Sequence, residues 1–412
     1  MRVLWAEAAE EAVRRLGSRA RPTRRSENKV MRIIGNVRRR GDPALREYAR
    51  RWDDLGMKGL RVTRAEMRKA SRSVSRTVMS SVHVAQKNIR AFAERQRPVE
   101  WISTRNGLTV GQLVRPLESV GCYVPGGRYP LVSTLLMTAI PAIVAGVARV
   151  CVVSPNPRSE LLAVAHELGI KEFYRVGGAQ VIAALAYGTE SIPRVDKIVG
   201  PGNNYVTTAK RLVASDCPID MLAGPTELVV VSHKGVPCWI ASDLVAQAEH
   251  DPDALAILIT CSQELARAVC ESVRELSRDN TVARECLKKS GYVLMARDRS
   301  QAMAWANRIA PEHISVPNEH LDQVRNAGSI CVGDYSPQAA GDYVSGPNHV
   351  LPTGGIARFR GGLTVFDFVK LITVQRLSSE ALRRAAPAIT ALAETEGLAA
   401  HAQSVRMRCS HA

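Results

Sequence analysis

No C-x-x-C pair, no G-x-G-x-x-G, no G-x-x-x-x-G-K-[ST] and no tandem repeat occurs anywhere in the 412 residues. The missing glycine patterns exclude the standard dinucleotide fingerprint and the P-loop as ways of holding a nucleotide. The missing dithiol spacing, with nine cysteines at 122, 151, 217, 238, 261, 270, 286, 331 and 409, points away from a disulfide framework. Several of them sit in apolar runs such as RVCVVS and GSICVG, as reduced thiols used as small hydrophobes in the cytoplasm do. No low-complexity linker interrupts the chain, so domain boundaries are expected inside compact turns. An apolar leader is lacking too: MRVLWAEAAEEAVRRL carries charges throughout and reads as an amphipathic helix. Residues 131–154, the most membrane-like stretch, are interrupted by Pro141, Gly146 and Arg149, and read as a buried helix followed by a core strand. No contact with a membrane is expected.

Aromatic residues are scarce, 5% of the chain, and few stand among the arginines. That scarcity bears on the charge. The formal net charge is +17, and residues 1–115 carry all of the surplus, with 28 Lys plus Arg against 11 Asp plus Glu. A basic quarter of this kind can bind nucleic acid. Only VRRR and RPTRR form runs, however, and a solvated face, or one that attracts an anionic substrate or cofactor, is the favoured reading. Apolar and charged fractions of 46% and 23% are those of a globular protein, and the length favours two or more domains.

The first hundred residues show helical periodicity, with one long helix expected over residues 63–96 and Asp42 capping a helix that has Pro43 in its first turn. From about Leu108 short β-branched runs alternate with helical stretches. Strands are expected at SVGCYV, RVCVVS, EFYRV, DKIVG, ELVVVS, ALAILIT, GYVLMA and SICVG, a pattern of βαβ units around mostly parallel sheets. From about Val365 the tail reads as helix again. Three glycine-rich turns, YVPGGRYPLVST, RVGGAQVIAALAYGT and IVGPGNNYVTTAKRLV, each follow a strand and precede a helix. Taken singly, each is more simply a tight turn. Three within about a hundred residues raise the case for a nucleotide at the strand ends.

Polar residues of chemical interest fall in four places. APEHISV sets Glu312 beside His313 after a proline, where a bend lets neighbouring side chains lean into one cleft. LVAQAEHDPDA places Gln247 and His250 three apart on an expected helix, a spacing that presents both on one face. From that stretch alone an ordinary polar helix end is the simpler reading. GDYVSGPNHVLPTGG puts Asp342 and His349 in a Gly/Pro-rich loop, where they either shape turns or build a site. AETEGLAAHAQ places Glu396 and His401 on a late helix or its turn. Zinc takes about four ligands, and spacing does not say whether these distant groups meet.

Together the segments VGCYVPGGRYPL, GGAQVIAALAYGTESIPRVDKIVGPGN, IDMLAGPTEL, DLVAQAEHDP, APEH, GDYVSGPNHVLPTGG and GLAAHAQSVRMR closely resemble histidinol dehydrogenases, in the family's order and over most of the chain. The resemblance implies an α/β protein of two incomplete Rossmann-like domains with helical terminal extensions, forming an intertwined homodimer with shared active sites. It divides the chain into residues 1–17; 18–122 with 226–363; an NAD-binding 123–225; and 364–412. It implies four-electron oxidation of L-histidinol to L-histidine through a bound aldehyde, using NAD and one zinc ion per subunit. By motif, the zinc ligands are Gln247, His250, Asp342 and, from the partner subunit, His401. NAD contacts are Tyr123, Gln180 and Asn203. Substrate contacts are Thr226, Gln247, His250, His313, Asp342 and His349, with Glu396 and His401 from the partner. His313 is the implied base for the alcohol proton, well matched at an unperturbed pKa of about 6.5, and Glu312 activates the water of the second step. Cys122 is read as a packing residue. The family usually has serine where Thr226 stands, and the turn after VPGG is short. A dehydrogenase of the same scaffold acting on another small alcohol, such as a sulfonated diol, is the alternative. A nucleic-acid-binding or regulatory protein that kept the fold and lost turnover is a third reading, opposed by the intact set of polar residues.

Overall fold

The computed structural model describes residues 1–18, 26–126 and 130–410. The RPTRR run and part of the VPGGRYP turn lie outside the described residues. The chain divides into two compact units, Met1–Gln96 with Leu117–Phe368, and Arg97–Pro116 with Val369–Ala412.

The chain opens on a strand, β1 (Arg2–Trp5), where a helix was expected, and only then enters helix α1 (Ala6–Gly17). Four residues are too few to reveal a period, and β1 is held by pairing in parallel with a strand at residues 291–295. Helices α2 (Glu27–Arg40), α3 (Asp42–Trp52), α4 (Arg64–Ser73) and α5 (Arg76–Arg95) follow. The single helix expected over 63–96 is two, because each half has its own start signal. Thr63 and Glu66 form a capping box for α4, and the Ser75 hydroxyl accepts the Val78 N–H for α5. Asp42 does not cap α3. It lies in the first turn, and its carboxylate accepts the Ser191 N–H at 3.1 Å instead.

After β2 (Trp101–Arg105) and β3 (Leu108–Pro116) the chain alternates: β4 (Ser119–Tyr123), α6 (Val132–Ala145), β5 (Arg149–Val153), α7 (Ser159–Glu167), β6 (Glu172–Tyr174), α8 (Gly178–Tyr187), β7 (Lys197–Val199) and α9 (Asn204–Val213). It continues through β8 (Glu227–Val231), α10 (Pro237–Ala248), β9 (Leu255–Thr260), α11 (Gln263–Leu276), α12 (Thr281–Ser290) and β10 (Gly291–Met295). Then come α13 (Arg299–Ile309), β11 (His313–Val316), β12 (Ser329–Val332) and α14 (Gln338–Tyr343). All eight strands read from sequence over this stretch form. β11 was not foreseen, because its polar opening residue breaks the apolar run.

Two parallel sheets result in the first unit. The larger runs β1-β10-β9-β8-β11-β12 and the smaller β6-β5-β4-β7. Helices cover both faces of the larger sheet, so its strands are apolar throughout rather than alternating. Leu228, Val230, Ala256, Leu258, Val293 and Met295 face one core with α10, α11 and α12. Their neighbours Val229, Val231, Ile257, Ile259 and Leu294 face the other, with α1 and α13. The period of two assigns each residue to its layer. No described helix is long and apolar enough to cross a membrane.

The second unit is an antiparallel sheet, β13-β3-β2, with helices α15 (Ser379–Thr395) and α16 (Ala399–Ser410). The helix expected from about Val365 is corrected here: β13 (Val369–Leu377) pairs with β3 from Val369↔Pro116 to Leu377↔Leu108. Val369, Ile372, Thr373 and Val374 are β-branched and suit a pleated surface. Gly397, at φ +76°, ends α15 with the Leu398 N–H on the Ala393 carbonyl at 2.7 Å.

Candidate active site

The three glycine turns emerge at the carboxyl ends of the small sheet. Strand order reverses there between β4 and β7, the place where open α/β sheets leave a crevice. A cavity of about 540 Å³ occupies it, lined among others by Tyr123, Gln180, Asn203, Tyr205, Asp53 and Lys29. The three side chains singled out for a cofactor therefore share one cavity. Each is fixed from behind. The Tyr123 hydroxyl accepts the Gly178 N–H at 3.4 Å, and the Asn203 side chain caps α9 by accepting from Tyr205 and Val206. Gln180 donates to Asp53 Oδ2 at 3.0 Å, and the same oxygen takes the Gly177 N–H at 3.0 Å.

Asp53 escaped sequence reading, although the pair DD after an amphipathic helix was a signal. Gly200 needs its lack of a side chain. At φ +112° a Cβ would lie 2.1 Å from the Tyr123 carbonyl oxygen. Behind it, a buried Lys210–Asp220 pair takes both ends of the turn: Lys210 Nζ donates to the Gly200 carbonyl at 2.8 Å and Asp220 accepts the Gly200 N–H at 2.7 Å.

A second constellation sits at the opposite, amino-terminal ends of β8 and β11 in the large sheet. Ala310, at φ +51°, ends α13 in a left-handed turn, and the chain then delivers buried Glu312 and His313 to the start of β11. Gly328 lies so close behind that a Cβ would stand 2.6 Å from the Glu312 carbonyl oxygen. The Glu312 Oε2 atom accepts from Thr226 Oγ1 at 2.5 Å and from the Glu227 N–H at 2.8 Å. Thr226 Oγ1 in turn accepts from Gln247 Nε2. Gln247 is fully buried in the last turn of α10, and its Oε1 has no hydrogen-bond partner among the described residues. His250 was expected on the same helix but stands past its end, with Nδ1 on the Ala246 carbonyl at 2.9 Å.

His313 Nε2 is 3.7 Å from Asp342 Oδ1, and its Nδ1 is buried without a partner among the described residues. Asp342 was expected in a loop and lies in the short helix α14, where Gln338 Nε2 meets its other oxygen at 3.4 Å. His349 Nδ1 contacts the Asp342 carbonyl at 2.8 Å. Neighbouring Asn348 donates to the Met137 carbonyl at 2.7 Å, tying this loop to α6. Glu312, His313, Thr226, Gln247, Asp342 and His349 are thus linked, with His250 near enough to act on the charge of the others. None of these side chains lines the 540 Å³ cavity. Glu396, at the end of α15, and His401, on α16, are exposed side chains of the second unit.

Burial dominates the electrostatics. It pushes Glu312 up to about 8, against the pull of its bonds from Thr226 and the Glu227 N–H. It pushes His313 down to about 3, helped by His349 and His250. At neutral pH this imidazole is therefore uncharged, and its 3.7 Å approach to Asp342 is no ion pair. In the Asp342–His349 pair burial likewise favours the uncharged forms, Asp342 upward and His349 downward.

Among the described residues no three His, Cys, Asp or Glu side chains gather as a ready metal cage. The donors that one unit does supply are of the right kind. Gln247 Oε1 is a buried carbonyl without a donor, His250 keeps Nε2 free of the bond its other nitrogen makes, and Asp342 brings a carboxylate. Amide oxygen, imidazole and carboxylate suit a borderline divalent cation, and they fall one short of a tetrahedral set.

The family model for histidinol dehydrogenase matches residues 18–409. A protein of Methanothermobacter thermautotrophicus named histidinol dehydrogenase is 46% identical over 391 residues, covering 91% of this chain and 92% of its own. One from Syntrophotalea carbinolica with the same name is 47% identical over 397 residues, covering 93% and 92%. The crystal structure of histidinol dehydrogenase from Elizabethkingia anophelis superposes with a TM-score of 0.95 at 32% identity, covering 100% of this chain and 98% of that one.

Proposed function

The chain belongs to the histidinol dehydrogenase family, and from that premise we propose that it oxidises L-histidinol to L-histidine, the closing steps of histidine biosynthesis. The reading is a four-electron oxidation of one carbon, alcohol to aldehyde to acid, with the aldehyde kept bound. The observation that carries it is the convergence of Glu312, His313, Asp342, His349 and the Gln247–Thr226 pair at the amino ends of two neighbouring strands. When bound, NAD supplies the acceptor for hydride and zinc supplies a fixed positive point that orients the imidazole and amine of the substrate.

The chain's own residues do the rest. Gln247, His250 and Asp342 hold the zinc, with His401 from a second copy as the fourth ligand; a homodimer with shared sites is part of this reading. Tyr123, Gln180 and Asn203 hold NAD in the cavity of the small-sheet domain, residues 123–225. Thr226 and His349, with Glu396 from the second copy, border the substrate. His313, uncharged and with Nδ1 unpartnered, accepts the proton that leaves the alcohol oxygen. Glu312 takes a proton from the water that adds to the aldehyde carbon. Being consecutive in the chain, the two flank one substrate position, so a single bound carbon is oxidised twice. Orientation of the substrate alone lowers the barrier by several kcal/mol, on the order of 7–11 at best.

The test is NADH formation with L-histidinol and with a sulfonated diol, each with and without a zinc chelator. Two NADH per histidinol, abolished by chelation and restored by zinc, is the expected result. Turnover of the diol in preference to histidinol sinks the substrate assignment, and chelator-resistant turnover sinks the zinc.

A further inference from the structure

The hydroxyl of Thr226 lies between Gln247 and Glu312, and the direction of its two hydrogen bonds follows once Glu312 is in the carboxylate form that water activation requires. Oε2 then only accepts, taking the Glu227 N–H at 2.8 Å. The Thr226 hydroxyl, 2.5 Å away, is therefore the donor in the second bond to Oε2, and its single proton is spent there. What remains on Thr226 Oγ1 is lone-pair density, which faces the side-chain amide of Gln247. Only the NH₂ end of an amide satisfies a lone pair, so Nε2 occupies that position. The carbonyl end is turned the other way. That end, Oε1, is the fully buried oxygen left without a donor among the described residues.

An unpaired buried carbonyl is costly, and proteins keep such groups where a ligand completes them. An amide free to flip would present its NH₂ group to a cation half of the time and repel it. Here the flip is blocked by a chain of bonds that runs from the Glu312 carboxylate through Thr226.

We propose that Thr226 is a positioning residue for metal binding: by donating to Glu312 and accepting from Gln247, it locks the Gln247 amide with its oxygen toward the cation. The proposal rests on the zinc reading of the site given above. The same bond ties the metal ligand to the group that activates water, so the two sides of the site are held in one register.

Zinc affinity measured by competition with a chromophoric chelator tests it without reference to turnover. Thr226→Val keeps the shape and removes the hydroxyl, and is expected to weaken zinc binding about 10- to 100-fold, the usual range for loss of an outer-shell partner. Thr226→Ser keeps the relay and is expected to bind zinc within about twofold of the parent. Gln247→Ala combined with Thr226→Val is expected to bind no more weakly than Gln247→Ala alone, because the threonine acts only through the amide. If the valine variant does not fold, Thr226→Ala carries the same readout. Wild-type affinity in the valine variant, equal losses in the serine and valine variants, or additive losses in the double variant would each overturn the proposal. So would a raised KM for histidinol with unchanged zinc affinity, the signature of a substrate contact. Failure of the parent protein to bind zinc is read in its own arm and sinks the zinc assignment itself, and this proposal with it.

Discussion

Glu227 and Glu312 hold each other by the backbone: the Glu312 carboxylate accepts the Glu227 N–H at 2.8 Å, and the Glu227 carboxylate accepts the Glu312 N–H at 3.3 Å. This exchange joins the first residue of β8 to the residue before β11, where the β11 register begins at His313↔Leu228. Glu227 also accepts the Gly354 N–H at 2.9 Å, which brings the end of the Gly/Pro-rich loop to the same point. An acid at the head of a wholly apolar strand is thus a clamp on three segments. Its distance in sequence from Glu312 is what lets two remote turns share one site.

Glu227→Ala removes the acceptor from the buried Glu312 N–H and from the more exposed Gly354 N–H. A cost of roughly 1–3 kcal/mol for the buried group is expected, with larger losses in kcat than in KM because Glu312 loses its anchor. Denaturant unfolding and steady-state kinetics measure the two effects. An alanine variant of normal stability and activity is the result against it.

The raised Glu312 carboxyl sets a pH dependence with a definite sign. Water activation needs the carboxylate, and with the group pushed up to about 8 most molecules hold it protonated at neutral pH. The second oxidation is expected to quicken as pH climbs through about 8, read as NADH released from supplied aldehyde. Glu312→Gln is expected to lose that limb and stop after one NADH. Stability runs the other way. The folded value lies above the ordinary 4.5, so the contribution of this group is complete below that value and fades as pH rises through about 8. Wild type should therefore lose stability relative to Glu312→Gln across this window, and a pH-independent difference contradicts the assignment.

How much of this was readable in advance differs between the two ends of the molecule. The cavity of the small sheet follows from local pattern: glycine turns after β4, β6 and β7 fall at one end of a parallel sheet because every strand in it points the same way. Strands β4 to β10 were legible for a related reason, since burial on both faces writes continuous apolar runs. The constellation around Glu312 is different. It is assembled from residues near 226, 247, 312 and 342–349, and their meeting depends on β11 pairing with β8, which no local period encodes. The resemblance to histidinol dehydrogenases named those residues where spacing did not. Glu227 and Gln338, which hold named residues, were missed because a side chain that accepts a remote backbone N–H, or donates to a neighbouring carboxylate, has no signature in a linear pattern. β13 was lost to the helical composition that surrounds it.

Cys122 gives a prediction by its inertness. Its side chain is inaccessible in the middle of the small sheet, and burial pushes the thiol up to about 12, so almost no thiolate exists at neutral pH. Aldehyde oxidation through a covalent thiol adduct at this position is thereby excluded by exposure and ionisation together. Cys122→Ala is expected to retain the second oxidation within a few-fold, in single-turnover measurements with the aldehyde. Its cost should fall on stability alone, at about 1 kcal/mol for a small buried group. Near-total loss of aldehyde oxidation is the outcome that reverses this assignment.

The buried Lys210–Asp220 pair supports the last prediction, and here two opposing effects must be weighed. Lys210 and Asp220 are 2% and 3% exposed, so each would be costly to bury alone. Together they bracket Gly200, whose N–H and carbonyl they take at 2.7 and 2.8 Å, and Asp220 also accepts the Met221 N–H at 2.6 Å. Removing one partner strands the other charge, at a cost of roughly 3–5 kcal/mol, whereas removing both with an apolar pair is often nearly neutral. Asp220→Ala is therefore expected to destabilise the fold far more than the paired change Asp220→Ala with Lys210→Met. The pair has a second consequence that stability does not report. Gly200 packs against the carbonyl of Tyr123, a residue lining the cavity proposed to hold NAD, so loosening its turn should raise the KM for NAD even in the paired variant. Unfolding midpoints and NAD titrations of the two variants separate these effects, and a paired variant with unchanged NAD affinity would show that the bridge serves the fold without shaping the cavity.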